Sequence, residues 1–302
     1  MKFERKKKIM SGLLRVVGAL PLGVHYFNAV VLAFIIEKVV RYRTDIVYRN
    51  IAESFPEKSG KEVKRICHEF YRHFANVFVE AIWFGACRNP ERLKKAGIVK
   101  VINPETINSL FDSSPSVMVM YSHTGNWELM GGIENYFEGH TCITEQNFCV
   151  VYKQLTSRLW DELMKDNRSA PLKDREHFQG YQETGAFLRY ALKHKNEKMV
   201  YSINTDQRPY INSNANITIN FLGRECQSMT GAAAIARKLS MCVLYQRMMK
   251  IGQGHYTIEY VPICDNAATM SAEDIMSQYY KLLEDDIRKQ PCNYLWSHRR
   301  WI

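Results

Sequence analysis

The sequence predicts an α/β fold, a mostly parallel sheet flanked by helices, with a membrane-associated helix at its N-terminus. Three observations carry that prediction. From residue 117 onward, short apolar runs of strand length alternate with stretches whose apolar residues recur every three and four positions, the order expected of strand–helix–strand units. No Pro- or Ser-rich linker, low-complexity tract or repeat divides residues 46–302, so they are expected to form one domain. Residues 16–36 carry no charge at all, and they lie between the basic clusters Lys6-Lys7-Lys8 and Arg41-Tyr42-Arg43.

That uncharged stretch is about as long as the roughly 20 residues a bilayer span needs. Gly18, Pro21, Gly23, His25 and Asn28 interrupt its first half, so a broken helix lying on the membrane surface fits as well. It has no small-x-small cleavage site and runs directly into Glu37-Lys38, which argues for a retained segment over a signal peptide. Residues 1–45 are therefore read as a basic, membrane-associated segment.

Ser59 with Glu62 three residues later makes a capping box. The helix it opens carries Val63, Ile66, Cys67, Phe70, Phe74, Val77 and Phe78 on one face. After Asn89-Pro90, residues 90–115 are expected to be helical in pieces. A buried strand follows at 117–121, then a helix over 126–136 and strands at 141–144 and 149–152. Helices are expected at 157–167 and 185–193, followed by a strand at 199–203 and a further strand at 217–222. The pattern closes with a helix at 230–239, strands at 242–248 and 256–261, and a last helix capped by Ser271 and Asp274.

An apolar content of 46% over 302 residues is ample for a core. The formal charge of +10 points to an acidic partner such as anionic lipid, a phosphorylated substrate or an acidic carrier protein. The basic clusters hold few interleaved aromatics, Tyr42 between Arg41 and Arg43 among them, which fits nucleic acid poorly. The eight cysteines form no CxxC pair and have no histidine at zinc spacing, so they are expected to be reduced, mostly buried thiols with no metal. GxSxG, GxxxxGK[ST], HExxH and GxGxxG are all absent from the sequence, and no cofactor is expected.

What remains is His123 and Glu128, in the arrangement HxxxxE. His123 falls where the 117–121 strand ends, at the edge where α/β sheets gather ligands. Glu128 is expected in the first turn of the next helix, with its carboxylate reaching back toward the imidazole. Such a pair is either a satisfied polar contact at a strand terminus or a general base with an orienting acid. As a base it would take the proton from an acceptor hydroxyl and let that oxygen attack an activated acyl carbonyl. Trp127 reads as packing beside it.

His123-Thr124-Gly125-Asn126-Trp127-Glu128 resembles the HxxxxD/E motif of the glycerolipid acyltransferase superfamily, in the form used by late acyltransferases of lipid A biosynthesis of the lauroyl/myristoyl type. Other pieces agree in order: Asn50-Ile51 with Phe55-Pro56; Val151-Tyr152-Lys153 followed by Arg168; Asp206-Gln207; Phe221-Leu222-Gly223 with Ser228 and Gly231; and Trp296-Ser297-His298-Arg299-Arg300-Trp301. The resemblance implies an enzyme of the bacterial inner membrane, active on the cytoplasmic face. It would move a fatty acyl chain from acyl carrier protein to a hydroxyl of a lipid A precursor, with His123 as base and Glu128 as its partner. Lys153, Arg168, Asp206, Gln207 and Arg208 become the substrate-binding candidates.

The sequence departs from the family at Lys153, where an arginine is usual, at Gln154 in place of proline, and at Arg208. Lysine lacks the planar fork that grips phosphate in two places, so these departures bear on the acceptor. A relative acting on another glycolipid or an aminoacyl lipid, or drawing on acyl-CoA, is the alternative within the same chemistry. A non-catalytic peripheral lipid-binding protein is the alternative outside it, and would be indifferent to His123 and Glu128. Arg175 is a further phosphate candidate, and His298, Arg299 and Arg300 read as docking the C-terminus. Met118, Met120, Leu129 and Met130 are candidates for an acyl slot, with core packing as the plainer role.

Overall fold

Val117–Tyr121 lies at the middle of a seven-stranded sheet in the structure, a computed structural model that describes residues 2–209 and 216–301. The strands in chain order are β1 (Val99–Val101), β2 (Val117–Tyr121), β3 (Phe148–Tyr152), β4 (Tyr181–Glu183), β5 (Val200–Asn204), β6 (Asn216–Phe221), β7 (Arg224–Met229), β8 (Cys242–Gly252) and β9 (His255–Cys264). The main sheet runs β1-β9-β8-β2-β5-β3-β4, and every neighbouring pair is parallel except the β8–β9 hairpin. All five residues of β2 are buried, as a strand covered on both faces requires. Met118 and Met120 face one core, while Val117, Val119 and Tyr121 face the other.

The helices are α1 (Lys2–Gly18), α2 (Leu22–Phe34), α3 (Thr44–Ser54), α4 (Gly60–Phe84), α5 (Pro90–Ala96), α6 (Pro104–Ser113), α7 (Arg158–Arg168), α8 (Thr184–Lys193), α9 (Gly231–Lys238) and α10 (Ala272–Lys289). The capping box that opens α4 is formed as expected, with Glu62 N donating to Ser59 Oγ and Ser59 N donating to Glu62 Oε2. This long helix serves both cores: Val63, Ile66, Phe70 and Phe74 enter the first, Trp83 and Phe84 the second. Ser271 caps α10 by accepting from Asp274 N at 3.0 Å.

The N-terminal segment is broken where glycine and proline break it in sequence. α1 ends at Gly18, whose missing Cβ lets the backbone close on Ile82 of α4, and Arg92 donates to the Gly18 carbonyl at 2.9 Å. α2 begins after Pro21 and continues through a π turn, Ile35–Val39. Together Leu22–Val39 are long and apolar enough to cross a membrane. One side of α2 packs Ala29 and Ala33 against Ala75 and Val79 of α4. Its other side leaves Phe27, Val30, Val31 and Phe34 exposed.

Two expectations are corrected and two are extended. Residues 141–144 are not a strand, because side chains take the backbone groups a ladder would use: Thr141 Oγ1 accepts from Ile143 N, and Asn147 both accepts from Thr144 N and donates to Cys142 O. The 126–136 helix is a tighter 3-10 run, Trp127–Tyr136, in which Gly131 and Gly132 let the Arg168 carbonyl and the Leu93 side chain come into contact. The 217–222 strand leaves the main sheet and pairs as β6 with β7, which the sequence reading passed over. The turn between them places Leu222 and Gly223 both at positive φ, 53° and 75°, the geometry of a two-residue hairpin. Residues 90–115, expected to be helical in pieces, also hold β1 between α5 and α6, and the short edge strand β4 is a further addition.

The C-terminal residues fold back over the first core. Asn50 Nδ2 donates to the carbonyls of Trp296 and His298, and Phe55 packs edge-on to Trp296. Arg300, only 1% exposed, donates to Gln227 O and the Tyr280 hydroxyl. The motif pieces around residues 50–56 and 296–301 are thus one packing unit. All eight cysteines are free, and five of them are buried.

Candidate active site

β2 and β5 are adjacent and parallel, with Tyr121 opposite Asn204. Their carboxyl ends therefore release His123 and the Asp206-Gln207 pair side by side. His123 Nδ1 lies 2.8 Å from Asp206 Oδ1, and the His123 backbone N donates to Asp206 Oδ2 at 3.2 Å. Gln207 Nε2 lies 3.0 Å from His123 Nε2. With the Gln207 amide donating, Nε2 holds the lone pair and Nδ1 carries the proton to Asp206, the tautomer a general base needs.

Asp206 is 2% exposed. Burial raises its pKa, but the charge and hydrogen bonds of His123 outweigh that, and the net value lies below the ordinary 3.8. His298 stands nearby, its pKa pushed down to about 4 chiefly by burial.

The motif acid does not orient the imidazole. Arg168 grips Glu128 with both arms, Nε to Oε2 and Nη2 to Oε1 at 2.8 Å each, and Trp127 Nε1 donates to Glu128 Oε1 at 3.1 Å. The expected reach of Glu128 back to His123 is thus replaced by a fork with Arg168, a geometry that suits guanidinium and carboxylate. Trp127 joins the two pairs, its ring edge-on to His123 with centroids 5.1 Å apart.

The loop between His123 and Glu128 is fixed on two sides. Gly125 has φ +61°, and a Cβ there would strike Met248, so glycine is required on both counts. His73 Nε2 lies 3.0 Å from Gly125 O. Burial pushes the pKa of His73 down to about 3, which keeps the ring neutral and makes Nε2–H the donor. Gly125 N donates to Asn293 O and Leu295 N donates to His123 O. Asn126 caps the next turn by accepting from Glu128 N at 3.1 Å.

The remaining candidates separate. Lys153 is exposed on the loop after β3, and lines a surface cleft of about 700 Å³ with Gln154, Arg158, Glu183 and Thr184. Arg208 lies two residues beyond Asp206 and is exposed. Arg175 donates to Ala170 O. Met118, Met120, Leu129 and Met130 are between 0% and 3% exposed and belong to the packed cores. Among the described residues, no three His, Cys, Asp or Glu side chains are disposed to hold a metal ion.

Sequence reading placed Asp206 among the substrate contacts and missed His73 and Glu80, which touch the loop from α4. One signal was available for Asp206: like His123 it closely follows a strand, and parallel neighbours present such residues at the same edge.

A family model described as bacterial lipid A biosynthesis acyltransferase matches residues 7–302. No curated protein matches the chain.

Proposed function

The chain belongs to the bacterial lipid A biosynthesis acyltransferases, and on that premise we propose that it transfers a fatty acyl chain from acyl carrier protein to a hydroxyl of a lipid A precursor, with His123 as general base. The observation that carries this reading is the buried Asp206 carboxylate on Nδ1 of His123, which leaves Nε2 as the lone pair at the carboxyl edge of a parallel sheet.

In the proposed reaction the acceptor hydroxyl displaces the Gln207 amide from Nε2. The hydroxyl proton passes to Nε2 as the oxygen attacks the thioester carbonyl carbon. Asp206, kept ionised, stabilises the imidazolium so formed. The tetrahedral intermediate collapses, the carbon–sulfur bond breaks, and the imidazolium proton goes to the leaving thiolate. An ester and the free carrier thiol result. No residue of the protein forms a covalent bond.

Glu128 contributes in a different way from the base. Its fork with Arg168 fixes a guanidinium in a partly buried position beside Trp127, where it is disposed to meet a phosphate of the acceptor or the carrier. Lys153 and Arg208 are cations on neighbouring loops of the same edge, suited to the same negatively charged partners.

The exposed face of α2 is proposed to lie in the cytoplasmic leaflet of the inner membrane. Its other face is already occupied by α4, which favours a surface-lying helix over a spanning one. The basic residues Arg5, Lys6, Lys8 and Arg41 are exposed at its flanks, where anionic headgroups would attract them.

The test is acyl transfer by purified full-length protein supplied with lauroyl-acyl carrier protein and lipid A precursor. His123→Ala should abolish transfer while leaving the fold and vesicle binding intact. Transfer at the wild-type rate by that variant would sink the reading. Transfer only from lauroyl-CoA, or only to a different lipid, would move the assignment to another donor or acceptor.

A further inference from the structure

Behind the loop that carries His123 and Glu128 lies a second polar group that the proposed chemistry does not use. Glu80, in α4, is 0% exposed. Its Oε2 accepts from Asn126 Nδ2 at 2.8 Å and from the Tyr256 hydroxyl at 2.9 Å. A fully buried carboxyl group is strongly destabilising unless it is hydrogen-bonded, paired or protonated. A fold that only needed volume there would hold an apolar side chain.

The arrangement has a direction. Asn126, itself 0% exposed, is held at both ends: Nδ2 donates to Glu80 Oε2 at 2.8 Å and, at a longer 3.4 Å, to Val77 O, and Oδ1 caps Glu128 N at 3.1 Å. Either end alone would leave the amide free to rotate. With both engaged, the side chain is oriented and the start of the Trp127–Tyr136 run is fixed. Glu128 reaches Arg168 from that start, and Trp127 reaches both Glu128 and the His123 ring.

We infer that Glu80 is a positioning residue for acyl transfer: through Asn126 it sets the register of the loop holding His123, Trp127 and Glu128. The inference rests on the proposed reading of that loop. The carboxyl group is flanked from a third side as well. Tyr26 of α2 has its hydroxyl close to Glu80, and both Tyr26 OH and Glu80 Oε1 are buried without a closed hydrogen bond. The apolar helix α2, whose other side is exposed, is therefore one side chain removed from the loop's anchor.

The test exploits the chemical asymmetry of the pair. Asn126→Asp keeps the oxygen that caps Glu128 N but removes the donor and sets one acid against another. It should lower kcat about a hundredfold, the cost of a small misplacement of reacting groups, with KM for lauroyl-acyl carrier protein little changed. Glu80→Gln added to it restores a donor facing the introduced carboxylate, and the double variant should recover at least about tenfold of that loss. A mere packing role predicts no such rescue. Failure of the second change to restore kcat in a protein with wild-type melting temperature would overturn the inference.

Should Asn126→Asp not fold, Asn126→Ser carries the question, since serine still caps but cannot hold Glu80. Loss of kcat at an unchanged melting temperature supports the inference, and wild-type kcat overturns it. Wild-type protein with no acyl transfer to any precursor would instead defeat the proposed function, so the two failures are separate.

Discussion

Asp206 holds His123 twice, by the ring at 2.8 Å and by the backbone N at 3.2 Å. One carboxylate thus sets both where the imidazole sits and which nitrogen is protonated. Asp206→Asn keeps the volume but offers an NH₂ group that does not accept from Nδ1–H. A flipped tautomer would then put the proton on Nε2 and remove the proposed base. The expected result is a fall in kcat of about a thousandfold or more, with unchanged melting temperature, measured with lauroyl-acyl carrier protein as donor.

Glu128 and Arg168 should behave as one unit. Glu128→Gln and Arg168→Lys each lose the two-armed geometry, and each should lower acyl transfer by roughly tenfold to a hundredfold, or about 1–3 kcal/mol of barrier. Because both changes break the same contact, the double variant should be little worse than either single one. Additive losses in that cycle would show that Glu128 acts directly on His123 instead.

The face formed by Phe27, Val30, Val31 and Phe34 should bind vesicles of anionic phospholipid. Phe27→Asp with Val31→Asp removes two inserted apolar side chains, worth about 1.5–3 kcal/mol each. Sedimentation with vesicles should show at least about a hundredfold loss of affinity on that basis. High salt should weaken wild-type binding, and alkaline carbonate should release the protein. Retention in carbonate-washed membranes would favour a spanning helix.

Acid should destabilise the fold through its buried histidines. His73 has its pKa pushed down to about 3 and His298 to about 4, burial being the leading cause for both. Unfolded histidines take up protons below about 6.5 while these two stay neutral in the native state, so stability falls as pH drops from there toward 4. The expected slope from the pair is roughly 2–3 kcal/mol per pH unit. Urea unfolding at a series of pH values measures it. His298→Gln should remove about half of the slope, and an unchanged slope would refute the assignment to His298.

Much of this was legible in one dimension. The 117–121 strand, the Ser59 and Ser271 caps and the break at Gly18-Pro21 rest on local chemistry, and each appears where the residues put it. The partner of His123 was not legible as such, because it lies 83 residues away and is brought near only by the adjacency of β2 and β5. Local spacing favoured Glu128, five residues on, whose carboxylate Arg168 instead captures. β7 escaped because Arg224-Glu225-Cys226-Gln227-Ser228-Met229 is mostly polar and its turn puts a leucine at positive φ, a conformation that rarely announces itself outside glycine.

The late segment around Asn293 to Leu295 meets the His123 loop through Gly125 N, His123 O and the Thr124–Tyr294 bridge. During synthesis these partners leave the ribosome long after the histidine does. Until they arrive the loop lacks one of its two walls, so a nascent or prematurely stopped chain would carry His123, Glu128 and Asp206 without the contacts that hold their loop in place. Under the proposed function, a growing chain that exposes its greasy helix first would reach the bilayer before it is able to acylate anything there.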